Sequence, residues 1–194
     1  MKKLFRKKII LVVLAVLLLG GGAGYFFLFR NSGGTGSVVE PTEIKVDTVF
    51  GYIGSESTYS RFNTLVGMFE TEKYLTKNDA GLSPSLIVFA PNNQAFEKDD
   101  VKPLETLNSA GKDQIKLYHM AKIYPASTTE SAKVELSDGQ KITTLSGREI
   151  FISKKADAFI VTDAKGREAN VSKKYAVSPK GDRIYFIDQV LLLQ

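Results

Sequence analysis

With 194 residues, 43% of them hydrophobic, the chain is long enough for one domain with a core of its own plus a short appendage. The six basic residues Lys2, Lys3, Arg6, Lys7, Lys8 and Arg30 face no acid within the first 30 positions. The formal +5 less those six leaves −1 for the rest, which excludes a nucleic-acid module built on a basic domain surface. The lack of cysteine excludes disulfides, thiolate metal sites and a lipid-bearing cysteine, and one histidine leaves little for zinc, so no metal and no cofactor is expected.

Residues 1–8 read as a basic cytoplasmic head. Ile9 to Phe29 follow as 21 residues without a charged side chain, and at about 1.5 Å per residue such a helix spans the ~30 Å hydrocarbon core of a bilayer. Lysines ahead of it keep the N-terminus in the cytoplasm. The expectation is a single-pass signal-anchor in the cell membrane, with the folded part extracellular. The competing reading is a signal peptide cut near Gly24, giving a secreted protein. Tyr25-Phe26-Phe27-Leu28-Phe29 weigh against the cut, because it would leave an apolar new terminus, whereas an uncut helix places these aromatics at the outer interface. Gly20 and Gly24 could bring two such helices together as a homo-oligomer, but glycine is frequent in membrane helices and the motif is short. Residues 30–43, with Asn31-Ser32-Gly33-Gly34-Thr35-Gly36-Ser37, read as a flexible tether.

Residues 44–194 carry the folding pattern. Phe62, Leu65, Val66 and Phe69, spaced i, i+3, i+4 and i+7, predict an amphipathic helix from Thr58, continued by Tyr74 and Leu75 and broken at Asn78-Asp79-Ala80-Gly81. Leu86-Ile87-Val88-Phe89 then reads as a strand buried on both faces, since a strand with one wet face would alternate apolar with polar. Pro91 lacks an amide for a ladder and stops that strand. Asn92 can cap a short helix whose Ala95 and Phe96 turn back onto the core. Lys102-Pro103-Leu104 suits a helix start with proline in the first turn, and Ile115, Leu117, Tyr118 and Ala121 predict a second short helix after Gly111.

The second half switches to strands. Val134-Glu135-Leu136 and 141–145 flank Ser137-Asp138-Gly139-Gln140, a hairpin signal because Asp-Gly tolerates positive φ. Ile150-Phe151-Ile152, Phe159-Ile160-Val161 and Tyr175-Ala176-Val177 continue the series, with Asp163-Ala164-Lys165-Gly166 as a turn, and Arg183 to Leu193 closes it as a strand too apolar to fray. Helices first and strands second imply an α+β fold with a twisted antiparallel sheet and helices at one end.

Phe89-Ala90-Pro91-Asn92 with Ala95-Phe96, the pair Tyr118-His119, Thr143 to Gly147, and Ile184-Tyr185 with Ile187, Asp188, Val190 and Leu191 resemble, in order and spacing, the boxes of the fasciclin domain family. The likeness runs from about Ile44 to the C-terminus. It implies a β-sandwich or wedge flanked by several short helices, here preceded by a single transmembrane helix. Two positions depart from the family pattern: Asn92 stands where threonine is usual after the first-box proline, and Tyr185 stands where the final box has histidine. The resemblance further implies that Tyr118 and His119, with their apolar neighbours, contribute to an adhesion surface. Read from the residues alone, the pair is a hydrogen-bonded unit under the sheet, its ring nitrogen satisfied by backbone.

Catalysis finds little support, because a hydrolytic triad would need His119 beside a serine and an acid and no G-x-S-x-G elbow is present. Asp99-Asp100 lacks the oxygen-rich loop of a calcium site. Three functions remain in view. The first is a non-enzymatic, membrane-tethered extracellular binding module contacting a protein or a cell-wall or matrix polysaccharide. The second is a carrier or sensor of a small apolar ligand, which a pocket of several hundred Å³ would favour. The third is a surface hydrolase using His119 and a serine.

Overall fold

A computed structural model describes residues 41–193 apart from Met68, Asp99, 102–103, Glu105 and 126–134. The basic head, the apolar stretch with Gly20 and Gly24, most of the tether, the Lys102-Pro103 helix start and Val134 lie outside the described residues. Among the described residues no helix is long and apolar enough to cross a membrane.

In chain order the elements are β1 (Thr42–Lys45), α1 (Val49–Ser55), α2 (Ser60–Val66), α3 (Thr71–Tyr74), β2 (Ser85–Pro91), α4 (Ser109–Tyr118), β3 (Met120–Ile123), β4 (Lys141–Thr143), β5 (Glu149–Lys155), β6 (Ala158–Thr162), β7 (Glu168–Val177) and β8 (Arg183–Ile187). Short 3-10 turns at Ser57–Tyr59 and Asn93–Glu97 precede α2 and follow β2. The strands form one sheet in the order β3-β2-β8-β7-β6-β5-β4, with β1 beside β7. A bridge between Ala121 and Thr144, and the Leu145 amide on the Met120 carbonyl at 2.7 Å, bring the two ends of that order together, so the sheet curls into a near-closed wedge.

Every residue of β2 is buried, because its two faces enter different cores. Ile87 and Phe89 join Tyr185 and Ile187 of β8 in a core closed by Ile142, Ile150, Ile152 and Val161. Leu86, Val88 and Ala90 join Ile184 and Phe186 in a second core beneath the helices, with Val49, Ile53, Phe62 and Val66. A third, smaller core holds Ala95, Val101, Ile115, Val190 and Leu192. The β2–β8 pair is therefore a wall between two interiors, and period-2 alternation survives as a choice of core rather than of core against water.

Several sequence expectations are corrected. The sheet is mixed: β2 pairs parallel with β8, Phe89 opposite Tyr185, and β1 pairs parallel with β7. Parallel pairing needs a long crossover, which the intervening helices and hairpins supply. The helix expected from Thr58 to beyond Phe69 ends at Val66, where Gly67 adopts φ 55° and donates to the Asn63 carbonyl, a left-handed stop open to glycine. Phe69 instead stacks on Tyr74 and tilts against Phe50, at 5.3 and 5.2 Å between ring centres. Helix α4 begins before Gly111, since the Asn108 side chain caps the Gly111 amide at 2.9 Å, and Ala121 belongs to β3. Glu135 and Leu136 are not a strand. Gly139 at φ 75° turns the chain so that its amide meets the Ile152 carbonyl, and the hairpin partner of β5 is β4. The closing strand stops at Ile187, leaving 188–193 irregular, with Val190, Leu191 and Leu192 buried. Elements β1 and α1 were not anticipated: β1 is mostly exposed, and in α1 the glycines Gly51 and Gly54 leave Val49 and Ile53 as the whole buried face.

Candidate functional site

Helix α4 ends at Tyr118, His119 caps it, and the chain turns at once into β3. That reversal drives both side chains inward, to 0% exposure each. The Leu191 amide donates to His119 Nε2 at 2.9 Å, so Nδ1 carries the proton and donates to the Ile115 carbonyl at 2.8 Å. Burial pushes the imidazole pKa down to about 4. The Arg167 charge acts in the same direction, while the Ile115 carbonyl and the Asp163 carboxylate oppose it. Both ring nitrogens are thus spent on main chain, and none is left to take a proton from a hydroxyl. Tyr118 donates to the Glu149 carbonyl at 3.1 Å and accepts the Ala164 amide at 2.8 Å.

Beside this pair lies a charged cluster that the sequence reading treated only as a turn. The Asp163 side chain, 1% exposed, accepts the amides of Lys165 and Arg167 at 2.9 Å and of Leu192 at 3.0 Å, and pairs with the Arg167 guanidinium at 2.8 Å. A buried carboxylate is tolerable when it is this fully bonded. Arg167 reaches onward to the Val190 carbonyl and to Asp100. Val190, Leu191 and Leu192 are therefore held through successive main-chain groups by Arg167, His119 and Asp163. The available signal was Asp163 four residues before Arg167 across the Gly166 turn.

The remaining box residues surround this clamp. Phe89 stacks on Tyr185 at 5.8 Å between ring centres, and its amide donates to the His119 carbonyl at 2.8 Å. Pro91 ends β2, and the Asn92 side chain accepts the Ala95 amide at 2.9 Å. Ala95 is buried and Phe96 half-buried between the second and third cores. Ile184 lies in the second core, Ile187 and Leu191 in the first, Val190 in the third. Asp188 accepts both the amide and the side-chain amide of Asn170 at 2.7 Å, fixing β8 to β7. Asn93, which the sequence reading did not single out, accepts the Arg61 amide at 3.0 Å and donates to the Ser57 carbonyl at 2.8 Å.

A separate surface cleft of about 480 Å³ opens between the β5–β6 hairpin tip and a bulged stretch of β7. Its walls include Phe159, Tyr175, Tyr185, Lys154, Lys173 and Arg183, with Glu135 and Asp157 also lining it. Arg183 lies over the Tyr175 ring at 5.4 Å, and its Nε has no hydrogen-bond partner among the described residues. Burial raises the pKa of both tyrosines, so their hydroxyls stay protonated at neutral pH. Among the described residues no group of three His, Cys, Asp or Glu is placed to hold a metal.

The fasciclin domain profile matches residues 58–193. The chain belongs to the fasciclin domain family. A FAS1 domain pair from the insect cell adhesion molecule fasciclin I shares the fold, with a TM-score of 0.51 and 16% identity over 76% of this chain and 51% of that one. The chain thus spans about half the length of that pair. No curated protein matches it by sequence. In this fasciclin domain Asn92, in place of threonine, retains a capping oxygen that closes on Ala95, and Tyr185, in place of histidine, is 6% exposed between Phe89 and the cleft.

Proposed function

We propose that the chain is a non-enzymatic binding module, tethered to the cell membrane by residues 9–29 and displayed outside the cell, where its fasciclin domain contacts a protein or polysaccharide of a neighbouring surface. The observation that carries this reading is the division of labour among polar groups. Those of the Tyr118-His119 region are consumed in holding the fold, whereas the cleft beside Tyr175 presents cations, carboxylates and aromatic rings to solvent. Fasciclin I, whose domain pair has this fold, is a cell adhesion molecule, which supports adhesion as the use of such a module. The anchor reading rests on the uncharged length of 9–29 and the lysines before it.

The test is binding of the full-length chain, held in detergent micelles, to cell-envelope and extracellular-matrix fractions. Saturable binding to one of them is expected, and equal binding by micelles without protein would end the proposal. The size of the cleft favours a second reading, a carrier of a small ligand. Native mass spectrometry of the purified chain separates the two, since a carrier brings a bound small molecule with it.

A further inference from the structure

The cleft has three features that packing alone does not call for. Between Val171, opposite Ile187, and Tyr175, opposite Tyr185, strand β7 spends Ser172, Lys173 and Lys174 against the single residue Phe186. Such a bulge re-aims side chains, and Ser172 and Lys173 line the cleft. Across from them the two-residue loop of the β5–β6 hairpin holds Ala156 at φ 52°, a left-handed conformation strained for any residue with a Cβ, and the loop's next residue, Asp157, also lines the cleft. Arg183 alternates with Tyr185 and Ile187 on one face of β8, so it continues the wall of the first core outward into the cleft. There its Nε hydrogen is buried and lacks an acceptor among the described residues, which is unfavourable for a polar group.

We propose that this cleft takes a carboxylated sugar unit of an acidic polysaccharide, with its carboxylate on Arg183 and Lys173 and its ring against Tyr175 and Phe159. A guanidinium is planar and matches a carboxylate in a fork that an ammonium cannot offer. The two rings supply apolar area for the sugar, and the Tyr175 hydroxyl, which donates to the Glu43 carboxylate at 3.2 Å, keeps a lone pair to accept a hydrogen bond at the edge. Glu135 and Asp157 accept hydrogen bonds from sugar hydroxyls, donors that an acidic side chain does not carry, which favours a polyhydroxylated acid over an acidic peptide. The volume, within the range of ligand sites, holds one or two sugar rings. This assignment rests on the binding-module reading and names its ligand class.

The experiment titrates the full-length chain in detergent micelles, by calorimetry, with oligosaccharides of galacturonate, glucuronate and mannuronate, with the methyl esters of each, and with oligo-glutamate. At least one uronate oligosaccharide binds, and its methyl ester binds about tenfold or more weakly, the effect of losing a charged hydrogen bond. Arg183→Gln lowers the affinity by a similar factor. Should that variant fail to fold, Lys173→Glu, on the exposed bulge, carries the same expectation without touching the core. Ester and acid binding alike, oligo-glutamate binding as well as the sugars, or no uronate binding at all each overturn the proposal. If the chain still captures an envelope or matrix fraction while no uronate binds, only the ligand assignment falls. If it captures neither, the binding-module reading falls as well.

Discussion

His119 and Leu191, 72 residues apart, are joined by a hydrogen bond of 2.9 Å in which the imidazole accepts from the main chain. The bond exists only while Nε2 is unprotonated, so the C-terminal segment is fastened by a group whose charge state depends on pH. The folded-state pKa, lowered to about 4, lies below the unfolded value near 6.5. Its contribution is therefore fully present above pH ~6.5 and is lost as pH falls toward ~4. Chemical denaturation across that window should show stability dropping by about 3 kcal/mol from this group. In His119→Gln the part of the slope due to the imidazole should disappear, and a slope unchanged from wild type would mean another group titrates.

Asp163→Ala should be among the most destabilising single changes. It strips the acceptor from the amides of Lys165, Arg167 and Leu192 and leaves the Arg167 charge without its buried partner. Breaking a buried pair from one side costs about 3–5 kcal/mol. Urea melts should move to a lower midpoint with little change in slope. A shift under about 1 kcal/mol would mean that water readily replaces the carboxylate.

Tyr118→Phe keeps the ring and removes one oxygen. The Ala164 amide loses a partner, and so does the Glu149 carbonyl. About 1–3 kcal/mol should be lost, with binding to any surface partner unchanged in the folded protein because the side chain is fully buried. Loss of binding without loss of stability would make Tyr118 part of the contact surface after all.

Removing 187–194 should abolish cooperative folding. Ile187, Val190, Leu191 and Leu192 are all at or below 5% exposure. At ~1.5 to 3 kcal/mol each the four contribute about 6 to 12 kcal/mol, against ~5 to 15 kcal/mol for a typical domain. A truncated chain that melts within a few degrees of the full one, on the scale where 1 kcal/mol is about 2–4 °C, would show that this segment is not a core partner.

Placement is tested by fractionation. The intact chain should pellet with membranes, and protease added outside cells should remove the fasciclin domain. A soluble product beginning near Tyr25 would instead establish cleavage near Gly24.

The corner at Pro91-Asn92 was legible in the sequence because each step is local: proline ends a strand at its own amide, and asparagine caps the turn it begins. The buried character of Leu86 to Phe89 was legible for the same reason, as a run of side chains with no polar break. The Thr58 helix was over-extended because Phe69 keeps the apolar period while Gly67 breaks the backbone. Element α1 was missed because its two glycines hide a helix that Thr48 caps at 3.0 Å and that Val49 and Ile53 hold by tertiary burial.

What the sequence by itself determined were local stops, caps and turns and the long apolar segments, which depend on neighbours a few residues away, together with the order of boxes that marks a fasciclin domain. Only the tertiary structure decided that β2 and β8 run parallel between two cores, that Arg167, His119 and Asp163 hold Val190, Leu191 and Leu192 in turn, and that Arg183 reaches a cleft shared with Lys173 and Tyr175. Those partners are separated by long stretches of chain, and loop closure depends so weakly on length that spacing alone cannot say which distant groups meet. The choice falls to whichever arrangement buries the apolar faces and leaves the buried polar groups bonded.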